Sequence, residues 1–364
     1  MTTIARSRPV ISAWSAVSPF GIGRDQLIKG LRAGQPADDT VDSQRWKVPD
    51  ERARLVPGFA LREILGSKGT RSMDRVSGLA VTAVRELLAE SERASTRAGE
   101  STGVGLVLGT TTGSAQSMMD FSRDSFVQAK PYFVEAARFP NAVMNCAAGQ
   151  CAIWHQLKGP NATVAGGRAA GLYALNYARR LLDAGRAHTV FCGAVEEYSS
   201  ARAWLEHHSR TPDEAGTVLG EGCAVLLLEP AAGVEGQGPL AEILSVEFAM
   251  AAGVSVKQAL ASAVRRAFRS AGVTPDDVYV VSPCAAPGDA GAQERDLVDE
   301  VFGPGPLRLD CAHLLGDTAA ASAAFQVCAV LTLAEESADA QGRVAAVTSV
   351  DRTGVVGCAL LRLR

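Results

Sequence analysis

The sequence predicts an α/β fold on the strength of two observations. Apolar strands rich in valine and leucine alternate with amphipathic helices, and such strands are typical of sheets that helices cover on both faces. The alternation runs through twice, and its second round repeats the first. We therefore expect two similar halves, with helices sandwiched between two sheets. A length of 364 residues, 47% of them hydrophobic, allows the large core that this architecture needs.

The first half opens with the apolar run PVISAWSAV and continues with VGLVLGT, NATVAGG, HTVFCGAV and CAVLLLE. Each run is short and largely apolar, which favours a strand, whereas two longer segments repeat apolar residues at helical spacing. Five strands and two helices are therefore predicted. The strands are 9–17, 104–110, 161–167, 188–195 and 223–229, and the helices are 73–91 and 168–184.

The second half repeats this order, with LAEILSVEFA, VYVVSP, LRLD, RVAAVTSV and VVGCALLRL as its apolar runs. The predicted strands are 240–249, 278–283, 307–310, 343–350 and 355–363, and the predicted helices are 255–271, 290–302 and 318–336. The Gly- and Pro-rich stretch 229–239 is predicted to join the halves, which gives two domains, 1–230 and 239–364. A less regular segment near 34–57 is predicted as an exposed loop.

Charge and cysteine content argue against several classes of function. A net charge of −3 with scattered basic residues offers no surface for nucleic acid or an anionic membrane. The N-terminus has no long apolar region, and no stretch approaches the roughly 20 apolar residues of a membrane span, so a cytoplasmic protein is predicted. Eight cysteines without a C-x-x-C pair, and a solvated loop pair His207–His208, predict no metal site. Small organic ligands or protein partners are the better candidates.

Five longer stretches follow one another in a recognisable order. They are VISAWSAVSPFGIGRDQLIKGLRAGQ, SMDRVSGLA, FPNAVMNCAAGQCAIWHQLKGPNATV, GAVEE and VLGEGCAVLLLEP. Together they resemble the β-ketoacyl synthases of the thiolase superfamily. The resemblance implies a thiolase-like fold, two similar halves in a layered α-β-α-β-α arrangement. It also implies a reaction site, because that family condenses acyl thioesters with a cysteine, two histidines and a supporting lysine.

The resemblance places this site on four positions that lack the required side chains. The family corner T-V-D-T-A-C lines up with 163–168, so Arg168 stands where the cysteine begins a helix that stabilises its thiolate. Pro283 stands at or next to the first histidine, Ala312 at the lysine and Asp317 at the second histidine. The glycine-rich gate is replaced by SVDRTGVVGCALL. These losses predict a fold kept without its reaction, because a guanidinium is never a nucleophile at working pH.

This pattern is similar to that of the chain-length factors, the ketosynthase β-subunits of type II polyketide synthases. The resemblance implies a heterodimer with a catalytic ketosynthase subunit, an acyl carrier protein that carries the growing chain, and no cofactor. Many chain-length factors have glutamine at the cysteine position. Arg168 departs from that, and partners from systems that make reduced, polyene-type chains are the closer comparison.

The resemblance also implies an interface and a tunnel. The strand before the corner is expected to pair across the dimer. Its residues are Asn161, Ala162, Thr163, Val164 and Ala165. In the helix GSAQSMMDF, Ser114, Ser117 and Phe121 are expected to share one face and set the tunnel depth, with Phe121 and Met118 as its floor. An ordinary amphipathic helix, with its Met and Phe in the core, explains the same pattern equally well.

Arg168 needs a counter-ion, because a cation at a helix N-terminus meets the positive end of the helix dipole. Asp317 is the predicted partner, since the family's cysteine and second histidine lie close together. Two other functions stay open. One is an active malonyl decarboxylase or condensing enzyme with an unrecognised nucleophile, such as a shifted Cys284–His313 pair. The other is a scaffold that holds an acyl carrier protein without shaping the product.

Overall fold

The computed structural model describes residues 8–38, 40–100, 102–233 and 238–364, and its elements follow the predicted alternation. Every strand and helix predicted for the first half is present, and further short elements lie between them. In order they are β1 (Pro9–Ser18), β2 (Gly21–Ile22), α1 (Arg24–Ala33), β3 (Ala53–Arg54), α2 (Leu61–Leu65), α3 (Arg75–Glu90), α4 (Glu92–Gly99), β4 (Val104–Thr110), α5 (Ala115–Val127), α6 (Cys146–His155), β5 (Asn161–Ala165), α7 (Ala170–Asp183), β6 (Thr189–Glu196), α8 (Ser200–Ser209), β7 (Leu219–Gly220) and β8 (Gly222–Pro230).

The second half also contains all its predicted elements, and the short helix α11 lies among them. In order they are β9 (Ala241–Met250), α9 (Val256–Ala271), β10 (Val278–Ser282), α10 (Gly288–Phe302), β11 (Leu307–Arg308), α11 (Cys311–Leu315), α12 (Ser322–Glu336), β12 (Val344–Val350) and β13 (Val355–Leu363). Matching 3-10 turns, Gly167–Ala169 and Ala319–Ala321, lead into α7 and α12. The two halves therefore enter their corresponding helices in the same way.

The strands of the two halves have the same spatial order. In the first half it is β5-β4-β6-β8-β1, and in the second it is β11-β10-β12-β13-β9, so each of these five strands has a counterpart. The two sheets are continuous rather than separate, because β1 pairs with β9 at Val10 and Ile11. This pairing covers only two residues of each strand. The division into domains 1–230 and 239–364 stays a prediction.

Alternate residues of each strand face different layers of helices. In β4, Val107 packs on the α7 side, whereas Leu106 and Leu108 face α3 and α6 on the outer side. In β12, Ala345 and Val347 face α12, whereas neighbouring residues join the outer cluster of α9 and α10. Helices α7 and α12 thus lie between the two sheets, and the other helices cover their outer faces. This is the predicted α-β-α-β-α arrangement.

The segment 34–57, predicted as an exposed loop, is partly buried. Ala53 and Arg54 form β3, which pairs in parallel with β7, and both side chains are buried. The prediction was wrong here because the charged residues of the segment suggested exposure. Arg54 is nevertheless buried, since its guanidinium bonds to backbone oxygens. Asp39 of this segment and residues 234–237 of the predicted join lie outside the described residues.

Among the described residues, one helical stretch, Ala319–Glu336, is long and apolar enough to cross a membrane. It contains α12, and 78% of it is buried inside the protein, as is usual for a core helix. Every one of the eight cysteines is buried and free. The cytoplasmic location stays a prediction.

Candidate functional site

Three chain segments meet where the sequence predicts the degenerate reaction site. Because β4 and β5 are parallel, their carboxyl ends lie at one edge of the sheet, and the corner at Gly166 turns there into α7. The second segment is 316–321, before α12, and the third is the turn 351–354 between β12 and β13. Arg168 lies at the tip of the corner with only 5% of its surface exposed.

Arg168 forms a bidentate ion pair with Asp317. Its Nε donates to Asp317 Oδ1 over 3.2 Å, and its Nη2 donates to Asp317 Oδ2. Burial acts to raise the pKa of Asp317, but the Arg168 guanidinium outweighs it and lowers the pKa to about 2. The structure therefore contains the ion pair expected from the sequence, and its two charges balance each other at the tip of the corner.

A second buried arginine, Arg202 of α8, bonds to the loop that carries Asp317. Its guanidinium donates to backbone oxygens. Its Nη2 donates to Asp317 O over 2.9 Å, and its Nη1 donates to Glu197 O over 2.9 Å and to Gly220 O over 2.7 Å. Its Nε lies 3.9 Å from Glu196 Oε1. Sequence reasoning missed this residue, because an arginine whose partners are distant backbone oxygens leaves no motif. Asp317 is thus fixed from two sides.

Asp351 is a further site residue that sequence reasoning missed. Its Oδ2 accepts a hydrogen bond from the backbone N–H of Arg168 over 2.9 Å. Its Oδ1 accepts from the Thr353 N–H over 3.0 Å and from the Thr353 hydroxyl over 2.7 Å. The sequence showed only that the glycine-rich gate is lost at this position. In the structure, this carboxylate ties the β12–β13 turn to the start of α7.

A cavity of about 410 Å³ opens beside the ion pair. The corner and the β12–β13 turn form much of its wall, and Arg352 and Glu206 lie on another side. Arg352 is already paired, because its Nη2 lies 3.2 Å from Glu206 Oε2 and 3.3 Å from Glu214 Oε2. The described residues of this wall include no cysteine and no histidine. The cavity therefore presents small side chains and paired charges instead of a nucleophile.

The shifted Cys284–His313 pair, which the sequence left open, is not formed. Pro283 is buried directly after β10, and Cys284 donates its S–H to Glu294 Oε2 over 3.3 Å. Burial and the nearby Glu294 raise the pKa of the Cys284 thiol, which keeps it protonated. His313 is exposed on α11. Its described hydrogen bonds do not include one to Cys284. Pro283 itself carries no acid or base.

Ala312 leaves no charged side chain at the lysine position, but an arginine from another segment contacts its backbone. Arg54 of β3 donates from Nη1 to Ala312 O over 3.1 Å and to His313 O over 2.6 Å. These oxygens lie near the carboxyl end of α11, where Ala312 O also accepts from the Gly316 N–H over 2.9 Å. The predicted exposed loop therefore supplies a buried cation that positions the segment leading to Asp317.

The residues described by the structure contain no group of three His, Cys, Asp or Glu side chains placed to hold a metal ion. His207 and His208 lie near the end of α8 rather than in a loop. Both are exposed, and both rings contact Trp204. They remain surface residues without a ligand set.

The predicted tunnel residues lie at the start of α5. Ser114 is the N-cap, and its Oγ accepts from the Ser117 N–H over 3.1 Å. Ser114 Oγ also lies 3.0 Å from Ser117 Oγ, so the two serine side chains are neighbours at the start of the helix. Ser117 and Phe121 do lie one turn apart, Met118 is half-buried between them, and the Phe121 ring lies 5.7 Å from that of Phe139. Their role in a tunnel stays a prediction.

A buried carboxyl group, Glu197, lies beneath this cap. Its Oε1 is 3.1 Å from Ser114 Oγ and 3.4 Å from the Gln116 backbone nitrogen, and only 1% of the residue is exposed. Burial, together with the negative charge of Asp74, raises the pKa of Glu197 to about 8. Glu197 is therefore largely protonated near neutral pH, which sequence reasoning did not foresee.

Replacing Glu197 by glutamine is expected to flatten the pH dependence of stability between about pH 5 and 8. The folded pKa is about 8 and the unfolded value is about 4.3, so the folded chain holds the extra proton in this window. Rising pH then lowers the free energy of unfolding by up to about 1.4 kcal/mol per unit through this group. Urea unfolding at pH 6, 7 and 8 measures the slope, and equal slopes in wild type and Glu197→Gln would contradict the assignment.

The predicted interface strand, β5, lies at the edge of the sheet. Leu106 N donates to Pro160 O over 2.8 Å, and Gly166 N donates to Thr110 O over 3.3 Å. In a parallel ladder, alternate residues bond to the same neighbour, so the even-numbered residues of 160–166 use their backbone groups on β4. The backbone groups of Asn161, Thr163 and Ala165 therefore point away from β4, towards an edge that no described strand covers.

A family model described as the β-ketoacyl synthase N-terminal domain matches residues 7–233, more than half of the chain. The chain belongs to the β-ketoacyl synthase family. The solved ishigamide ketosynthase/chain length factor is 43% identical, with a TM-score of 0.90 over 98% of this chain and 99% of that one. The granaticin polyketide putative β-ketoacyl synthase 2 of Streptomyces violaceoruber is 28% identical. The match covers 84% of this chain and 78% of that protein.

Another relative is similar over a comparable share of the chain. It is the 3-oxoacyl-[acyl-carrier-protein] synthase 2 of Rhizobium meliloti (strain 1021), 24% identical, covering 89% of this chain and 86% of the relative. These matches confirm the resemblance drawn from the motifs and the thiolase-like fold. Within this β-ketoacyl synthase fold, the corner that the resemblance assigns to a cysteine carries Arg168 and its ion pair.

Proposed function

We propose that this chain is a non-catalytic subunit of the chain-length-factor type in a type II polyketide synthase. The observation that carries the proposal is the buried Arg168–Asp317 ion pair, which occupies the positions that the resemblance gives to the cysteine and the second histidine. A protonated guanidinium cannot attack a thioester, and an ionised carboxylate cannot donate a hydrogen bond to its carbonyl oxygen. The 43% identity to a ketosynthase/chain length factor supports this function.

The proposed partner is a catalytic ketosynthase subunit, bound as a heterodimer along β5. An uncovered strand edge with outward N–H and C=O groups is a template for pairing with another chain. Helix α6 packs on β5, and the segment 126–153 around it exposes a set of large apolar side chains. They are Phe126, Val127, Tyr132, Phe133, Phe139, Val143, Met144 and Ile153. An acyl carrier protein is the proposed carrier of the growing chain.

In this function, α5 limits the length of the growing chain. Ser117 lies on the side of α5 that also carries Phe121, and the contact of Phe121 with Phe139 supports a closed end below it. The Ser114 hydroxyl caps the helix and contacts both Ser117 Oγ and Glu197, so it holds the start of α5 in place. The small side chain of Ser117 leaves room for a longer product.

Replacing Ser117 by tryptophan is expected to shorten the polyketide made by the reconstituted complex by at least one two-carbon extension, because the indole ring fills the proposed tunnel. The control is Ser122→Trp, which places the same group on an exposed position of α5. Co-expression with a ketosynthase encoded beside it, size measurement and mass spectrometry of the products give the result.

The same preparation separates the competing functions. The proposal predicts a 1:1 heterodimer and no turnover by this chain alone. Turnover by this chain alone would identify an active decarboxylase or condensing enzyme instead. A heterodimer whose product length is equal for wild type and Ser117→Trp would identify a scaffold that holds an acyl carrier protein.

A further inference from the structure

The backbone N–H of Arg168 is the hydrogen-bond donor at the tip of the corner, and a carboxylate occupies it. Asp351 Oδ2 lies 2.9 Å from this nitrogen in a buried contact. The same side chain is held from behind, because Thr353 donates to Oδ1 through both its N–H and its hydroxyl. The backbone of Asp351 also bonds to Val355 O over 2.9 Å. The carboxylate is therefore fixed on the donor.

Gly167 provides the space for this carboxylate. Its φ is +52°, a backbone conformation that favours glycine, and a Cβ at this position would lie 2.1 Å from Asp351 Oδ2. The family corner T-V-D-T-A-C has alanine where this chain has Gly167. The missing methyl group and the additional carboxylate thus fit each other, which indicates that they act together.

Acyl transfer at such a corner requires a free donor. When a thiolate attacks a thioester, the carbonyl oxygen becomes an oxyanion, and backbone N–H groups beside the nucleophile stabilise it. We propose that Asp351 is a second block on acyl transfer, independent of the missing cysteine, because it occupies the donor of residue 168 and places a negative charge where the oxyanion would form. This inference rests on the proposed non-catalytic function and deepens it: a cysteine restored at residue 168 is not sufficient for acylation.

In the natural chain, Asp351 is a positioning residue. It holds the β12–β13 turn against the start of α7, and both segments form the wall of the 410 Å³ cavity. The charge of Arg168 is already balanced by Asp317, so the main partner of Asp351 is the backbone donor and not the guanidinium.

The test compares variants that carry a thiol at the corner. Arg168→Cys alone would leave the carboxylate of Asp317 buried without its cation, so the reference is Arg168→Cys/Asp317→Asn, and the comparison adds Asp351→Ala. Both are treated with octanoyl-N-acetylcysteamine. The introduced thiolate attacks the thioester carbon and keeps the octanoyl group, and N-acetylcysteamine leaves as a thiol with the proton. Peptide mass spectrometry measures the rate at which the introduced cysteine is octanoylated.

Alkylation of the same thiol by iodoacetamide is the internal control. It needs access and a thiolate but forms no oxyanion, so it corrects for changes in thiol pKa and exposure. We expect Asp351→Ala to raise the ratio of the acylation rate to the alkylation rate at least tenfold. An unchanged ratio overturns the proposal.

A second measurement keeps the natural corner intact and covers the case in which the thiol variants do not fold. Hydrogen exchange of the Arg168 amide is compared in wild type, Asp351→Ala and Asp351→Asn, the last of which retains an acceptor oxygen. The alanine variant is expected to exchange at least tenfold faster and the asparagine variant close to wild type. Unchanged protection in the alanine variant overturns the proposal. Octanoylation of the unaltered chain would instead contradict the proposed non-catalytic function, which separates the two failures.

Discussion

Replacing Asp317 by alanine is expected to lower the free energy of unfolding by about 3–5 kcal/mol, because it leaves the buried Arg168 guanidinium without its counter-ion. The side chains of the two partners are 6% and 10% exposed, so water does not replace the lost carboxylate. Urea unfolding at pH 7 measures the effect. A matched control is Glu135→Ala, which removes an ion pair with Arg138 whose side chains are 57% and 47% exposed. That pair is expected to contribute no more than about 1 kcal/mol.

The pH dependence gives an independent check on the same pair. The pKa of Asp317 is about 2 in the folded protein and about 3.9 in an unfolded chain, so the unfolded chain binds the proton more readily between these values. The stabilisation by Asp317 is therefore complete above about pH 4 and is lost as the pH falls towards 2. Wild type and Asp317→Ala should converge in stability over this range. If Asp317→Ala lowers the free energy of unfolding by less than about 1 kcal/mol at pH 7, the ion pair contributes no more than an exposed one.

Replacing Thr163 by proline is expected to weaken binding to the ketosynthase at least a hundredfold. The Thr163 N–H points away from β4, so proline removes an outward donor and places its ring where the partner strand would pair. An edge strand tolerates proline when the lost N–H faces outwards, so the isolated subunit should stay folded. Isothermal titration calorimetry with the purified ketosynthase measures the dissociation constant.

Two neighbouring variants make this result specific. Thr163→Val keeps the N–H and removes only a buried hydroxyl that has no partner among the described residues, so binding should stay within a few-fold of wild type. Val164→Pro removes an N–H that bonds to β4, so it should destabilise the subunit itself. Equal affinity of Thr163→Pro and wild type would exclude β5 as the pairing edge.

The strands could be predicted from the sequence because both faces of each sheet are covered. A run such as VGLVLGT has no polar face, so its apolar pattern alone identifies β4 and its neighbours. The Arg168–Asp317 pair could also be predicted, since the motifs place a cation and a carboxylate on two positions that approach each other in the family. The resemblance therefore identified Asp317 as the counter-ion of Arg168.

The remaining site residues bond mainly to the backbone, which no sequence pattern records. Arg202 bonds to Asp317 O from a position 115 residues away, and Arg54 bonds to Ala312 O across 258 residues. Asp351 reaches the Arg168 N–H across 183 residues. Such contacts depend on how the two halves pack and not on local propensity. The sequence also did not predict that the Ser114 hydroxyl caps α5, because a cap is again a contact with a backbone N–H group.

The corner has a further meaning for how the chain holds together as a duplicated structure. The two 3-10 turns that lead into α7 and α12 occupy equivalent places in the two halves, and they meet at this point. Arg168 belongs to one half, whereas Asp317 and Asp351 belong to the other. The sheets themselves are joined by only two residue pairs of β1 and β9. The charged groups at the corner therefore connect the two repeats of the chain to each other at a point away from the β1–β9 pairing.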